Sequence, residues 1–258
     1  MNWSGRALRF FFLWALLATA LTACGKKGPL IYPEAQVPAP VTALKVEQKG
    51  ELFLISWPQP DREERGERLK DLAGFRLFKR EVLPPAEDCE ECPTAYRLIK
   101  TVDVEYLQDV VRLDGRYFFS DAELAEGKTY QYKVVSFKGD GTESGPSNRA
   151  RKKRVAPPIA PKLKALSTPA GVMLTWEPVT LPEHAGLVGY NVYRKRPGEV
   201  MPPAPLNSEP LTGTRYEDLR LERGATYAYS LRTAARIGGE TVESEPSNET
   251  VGELTDPE

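Results

Sequence analysis

Between residues 172 and 177 apolar and polar positions alternate. Val172, Leu174 and Trp176 fall on one side of an extended chain, and Met173, Thr175 and Glu177 fall on the other. A period of two marks a strand with one buried face. Tyr227, Tyr229 and Leu231 alternate with Ala228, Ser230 and Arg232 in the same way. Short runs of this kind, separated by Gly, Pro and Asp punctuation, recur from about residue 41 to residue 252 and predict an all-β sandwich architecture. The N-terminus breaks the pattern, with a 12-residue stretch from Phe10 to Leu21 that is apolar except for Thr19.

The runs come in two matched sets, and internal repetition outranks other signals in a first reading. LFLISWPQP (52–60) pairs with VMLTWEPV (172–179), which aligns Trp57 with Trp176. GFRLFKR (74–80) pairs with GYNVYRK (189–195). FSDAELAEGKTYQYKV (119–134) pairs without a gap with YEDLRLERGATYAYSL (216–231), and ESGPSN (143–148) pairs with ESEPSN (243–248). Order is kept and only the spacers differ, as expected when strands persist and loops vary.

These residues resemble fibronectin type III domains. That family has a second-strand tryptophan, matched by Trp57 and Trp176, and an aromatic-x-Val-Tyr-Arg-like third strand, matched by Tyr190, Val192, Tyr193 and Arg194. It also has a leucine, a glycine three residues later and a tyrosine three beyond that. Here these are Leu124, Gly127 and Tyr130, and Leu221, Gly224 and Tyr227. The resemblance implies two tandem immunoglobulin-like sandwiches, at 41–156 and 159–252, with a short tail at 253–258. Each would carry a tyrosine corner whose hydroxyl bonds to backbone just upstream. Antibody-type domains fit less well, because no cysteine pair falls where their inter-sheet bridge would lie. Pro157, Pro158 and Pro161 between the copies predict a short, stiff hinge with the modules end to end.

The apolar N-terminal run changes where the protein is expected to live. With Arg6 and Arg9 before it and no acidic residue nearby, residues 1–23 read as a signal peptide, too short to span a bilayer as a helix. Leu21-Thr22-Ala23-Cys24 resembles the bacterial lipobox, which implies that Cys24 becomes an acylated mature N-terminus. Several acyl chains anchor firmly where one is marginal. The next residues, CGKKGPLIYP (24–33), resemble the N-terminal motif of small outer-membrane lipoproteins that assist maturation of the lipopolysaccharide translocon. Their Gly and Pro content also describes a plain extended tether over residues 24–40. Gly25 after the cysteine favours outer-membrane sorting by resemblance to enteric rules.

Composition adds little that is specific. The chain has 258 residues with 35 basic and 36 acidic side chains, and nothing in that balance calls for nucleic acid. One segment departs from it. Arg149, Arg151, Lys152, Lys153 and Arg154 form a positive run open to two readings, a contact for lipid phosphates or acidic partners, or a solvated last strand guarding its edge. A charged insertion at 61–74 reads as a solvated loop, with a short helix or an interaction loop as the alternatives.

Candidate chemistry is sparse. Cys89 and Cys92, within DCEECPT (88–94), lack a second ligand pair for metal. Their acidic neighbours oppose a low thiol pKa, and an i, i+3 turn suits a small loop disulfide in an oxidising compartment, with a pair of free thiols or a metal or redox site as the other readings. The single histidine, His184, has no partnered nucleophile in view, and GDGTES (139–144) reads as a hairpin turn. The expectation is therefore a non-catalytic envelope lipoprotein without cofactor or metal, bound to the membrane by its lipid and facing the periplasm or the cell surface. Its partner would be another envelope or extracellular protein. An assembly factor acting through the N-terminal motif and a glycan-binding module are the alternatives.

Overall fold

The computed structural model describes residues 36–256. The expected leader, Cys24 with its expected acylation, and most of the expected tether lie outside the described residues. Among the described residues all fifteen regular elements are strands. The first eight are β1 (Lys45–Lys49), β2 (Leu52–Pro58), β3 (Leu72–Val82), β4 (Arg97–Asp103), β5 (Val110–Leu113), β6 (Arg116–Asp121), β7 (Thr129–Lys138) and β8 (Ala150–Lys153). They pair as β1-β2-β6-β5 and β4-β3-β7-β8, two sheets with a shared interior. Phe53, Ile55 and Trp57 alternate inward along β2, as the period of two requires. They meet Phe75, Leu77, Tyr117 and Tyr132 in a fully buried core, with Trp57 stacked on Tyr117 at 5.9 Å between ring centroids.

The remaining strands are β9 (Leu163–Ser167), β10 (Val172–Trp176), β11 (Ala185–Lys195), β12 (Arg215–Asp218), β13 (Tyr227–Ile237), β14 (Glu240–Glu243) and β15 (Thr250–Gly252). One sheet runs β9-β10-β12, and β13 lies in the other between β11 on one side and β14 and β15 on the other. Val172, Leu174, Trp176, Val192, Tyr229 and Leu231 fill a second, separate core. The described residues are thus all-β, in immunoglobulin-like sandwiches, as the patterning predicts.

The repeated motifs have a physical explanation in both copies. The Tyr130 hydroxyl accepts from the Ala125 N–H at 2.9 Å, and the Tyr227 hydroxyl accepts from Glu222 N–H at 3.2 Å, the expected tyrosine corners. In ESGPSN and ESEPSN the serines substitute for a strand. Ser144 and Ser147 accept from the N–H groups of Ser136 and Val134, while Ser244 and Ser247 accept from those of Thr233 and Leu231. Each serine's own N–H donates back to the carbonyl of the same residue, so the serines satisfy the neighbouring strand and the proline between them needs to supply no donor. Asn148 then bonds both backbone groups of Leu44, as Asn248 does with Leu163, closing each sandwich.

The connection between the sandwiches differs from the expected hinge. β14 pairs in parallel with β1, Gln48 opposite Val242 and Lys49 opposite Glu243, so one sheet continues from β11 through β13, β14, β1, β2 and β6 to β5. Both sandwiches belong to one compact unit. The proline-rich linker is bridged, and a ladder fixes the modules where a hinge would leave them free to turn.

Candidate interaction surfaces

Two places concentrate polar chemistry, and the first is the junction. Gly50 takes a left-handed φ of 63°, which turns the chain after β1 and lets its N–H reach the Glu243 carbonyl at 2.9 Å. A side chain on Gly50 would collide with the Glu245 carboxylate, which itself accepts from the Glu51 N–H at 2.8 Å. Lys49 is almost buried and donates to the Tyr193 hydroxyl at 2.5 Å and to the Glu243 carboxylate at 3.3 Å. Tyr193 donates to the same carboxylate at 2.8 Å, and burial first, then Glu243, pushes its phenol up. The phenol therefore stays protonated. Gln48 exchanges two bonds with the Val155 backbone, and so ties the linker to β1. A cavity of about 170 Å³ opens beside this cluster between Val111, Phe118 and Leu54 of the first sandwich and Val200 to Pro203 of the second.

The second place is the basic segment, whose five residues do not form one open patch. Lys152 is buried and donates to Glu240 at 2.8 Å and to the Thr241 carbonyl at 2.9 Å, so it belongs to the junction. Arg154 is buried too, bonded to Glu51 and to the Val155 carbonyl, and desolvation pulls its pKa down. Only Arg149, Arg151 and Lys153 face solvent. Arg149 holds Glu90 and Glu91 at 2.7 Å each, while Arg151 donates to Gln131 at 3.1 Å and approaches Glu90 at 4.0 Å.

These carboxylates belong to the insertion closed by Cys89 and Cys92, which are bonded to each other with Cα atoms 5.4 Å apart. The loop folds back on the sheet. Arg80 of β3, its side chain only 3% exposed, forks onto both oxygens of Asp88 at 2.6 and 3.1 Å and reaches Glu90 at 3.5 Å. That fork holds the Asp88 carboxyl below its ordinary range. Gln131 donates to Glu90 at 2.7 Å and accepts from Arg80.

Sequence reading missed a polar element built twice in the cores. Lys79 of β3 contacts Asp121 of β6 at 2.6 Å, and the Tyr132 hydroxyl of β7 donates to the same oxygen at 2.7 Å. In the second sandwich Arg194, Asp218 and Tyr229 repeat it at 2.7 and 2.9 Å. Burial pushes both phenols up, so each remains a donor to its aspartate. The signal was present in the matched blocks, which align Asp121 with Asp218 and Lys79 with Arg194. The insertion at 61–74 is also less solvated than expected. Glu63 is buried against Lys138 at 3.2 Å, and its strand-like bridge to Pro38 fastens the start of the described chain.

Among the described residues no group of three or more His, Cys, Asp or Glu side chains is placed to hold a metal ion. No family model matches the chain, and no curated protein matches it. Among solved structures it is similar to the FN1–FN3 domains of chicken CNTN1, at 14% identity and a TM-score of 0.33. That match covers 83% of this chain and 65% of the other. The fold assignment rests on the strand order and the two cores described above.

Proposed function

We propose that this chain is a lipid-anchored, non-catalytic protein of the bacterial envelope, which holds two fibronectin type III-like sandwiches as one rigid contact surface for another envelope or extracellular protein. The observation that carries this reading is the sheet continuing through β14 and β1. A ladder plus a buried Lys49–Glu243–Tyr193 cluster spends polar groups on holding two modules in register, which serves presentation and has no role in turnover. Glycan binding is less well supported. Among the described residues Tyr106 is the one largely exposed aromatic ring, whereas sugar stacking uses several.

The anchor and the modules are tested together in cells lacking the protein. The full chain is expected to incorporate labelled palmitate and to restore the envelope phenotype. Cys24→Ala is expected to lose the label, and a truncation ending at Pro40 is expected to keep the label and restore nothing. Label persisting on Cys24→Ala would sink the anchor. Full rescue by the truncation would transfer the function to the N-terminal motif and the translocon-type machine it resembles.

A further inference from the structure

We infer that the first sandwich carries a binding site for an acidic peptide segment, occupied in this structure by the chain's own disulfide-closed loop acting as a displaceable plug. The site is the outer surface of β3, β7 and β8. Arg80, Arg149 and Arg151 converge on the single carboxylate of Glu90, where Gln131 adds an amide donor and the Tyr96 hydroxyl a bond of 3.4 Å. Three guanidinium groups around one carboxylate concentrate the charge and donors that a carboxylate needs, and the two-oxygen fork on this surface is that of Arg80 on the neighbouring Asp88. The floor is built rather than incidental. Arg80 and Gln131 are buried and bonded to each other, so their positions do not depend on the loop alone.

The fold does not require this arrangement, as the second sandwich shows. At the positions matching Gln131, Arg149 and Arg151 it has Ala228, Glu249 and Val251, and no counterpart of the Cys89–Cys92 loop. Each sandwich has its own closed apolar core, so the cluster serves something specific to the first. The rim is open: Arg149 and Arg151 side chains are 41% and 54% exposed. Lys133 lies on the same surface over the Tyr96 ring at 4.0 Å, and Lys153 continues the positive margin along β8. Among the described residues neither lysine has a carboxylate within ion-pair distance in the structure. The surface thus remains positive with the plug in place, and the plug shows what it accepts: successive carboxylates, Glu90 and Glu91, presented on a tight turn.

This inference gives a partner chemistry to the contact-scaffold reading above. It does not use the lipid anchor, so its failure would leave the palmitate and complementation results standing. The full chain in detergent is titrated against fluorescein-labelled octaglutamate, with fluorescence anisotropy as the readout. Neutralising the plug with E90Q/E91Q, while Asp88 is left on Arg80, is expected to tighten binding by at least about tenfold. The gain should shrink as salt is raised. Adding R149A/R151A should return affinity to that of the unchanged chain. No gain in the E90Q/E91Q chain at an unaltered melting temperature would overturn the proposal, as would a gain that survives R149A/R151A. Displacement of the peptide by phosphatidylglycerol vesicles at lower concentration would also overturn it, in favour of a lipid surface. If E90Q/E91Q fails to fold, excess peptide on the unchanged chain must accelerate hydrogen exchange at the Cys92 and Ala95 amides, which bond within the loop. Unchanged exchange there would refute the plug.

Discussion

Each aspartate of the repeated core element accepts from a cation and a phenol on the opposite sheet, so the two sheets of a sandwich are joined by charge as well as by apolar packing. The consequences of removing its parts differ in size. Asp121→Ala leaves Lys79, 2% exposed, without its carboxylate and strands the Tyr132 hydroxyl. Breaking one side of a buried pair costs about 3–5 kcal/mol. Tyr130→Phe deletes only the corner hydrogen bond to Ala125 and should cost about 1 kcal/mol. Urea unfolding of the two variants beside the parent is expected to give these values in that order. A loss at Asp121 no larger than that at Tyr130 would mean the pair is not strongly buried in solution.

Among the elements, the long central strands were readable from sequence because neighbours along the chain determine them. β2, β7, β10 and β13 carry alternation strong enough to set their own register. β14 was not readable. Its four residues, Glu240 to Glu243, follow Gly238-Gly239 and look like a plain hairpin return, while their second partner, β1, lies 194 residues away at the Lys49–Glu243 pair. No local pattern encodes a pairing at that distance. The plug was half legible for a similar reason: the cysteine spacing suggested a loop disulfide, but Arg80 and Glu90 are brought together only by the folded sheet. The junction makes its own prediction. Gly50→Val forces a β-branched residue into a left-handed conformation and displaces Glu245, at about 1–3 kcal/mol. Hydrogen exchange should quicken at the Gly50 amide while the β2 amides around Trp57 stay protected. Equal loosening of both would show that the junction and the first core are one cooperative element.

Taken as a whole, the molecule buries protonated phenols in both cores and between them. Tyr132, Tyr229 and Tyr193 all have pKa values raised first by burial and then by a neighbouring carboxylate. A group whose pKa is raised on folding contributes its full stability below the unfolded value and loses it as pH climbs towards the folded one. Stability should therefore hold up to about pH 10 and then fall by about 1.4 kcal/mol per pH unit for each of these phenols. Denaturant midpoints measured from neutral to strongly alkaline pH check this. A curve flat beyond pH 10 would mean that the three hydroxyls are open to water.

The parallel pairing of β1 with β14 also sets an order of events during synthesis. Gln48 leaves the ribosome long before Val242, so the edge of β1 must wait for nearly the whole protein before its neighbour exists. Until then the first sandwich offers a bare strand beside an uncompensated Lys49, a surface that invites pairing with other chains. A nascent chain stalled between the two modules is thus the species most in need of a chaperone, and the four residues of β14 seal the first sandwich as well as extending the second.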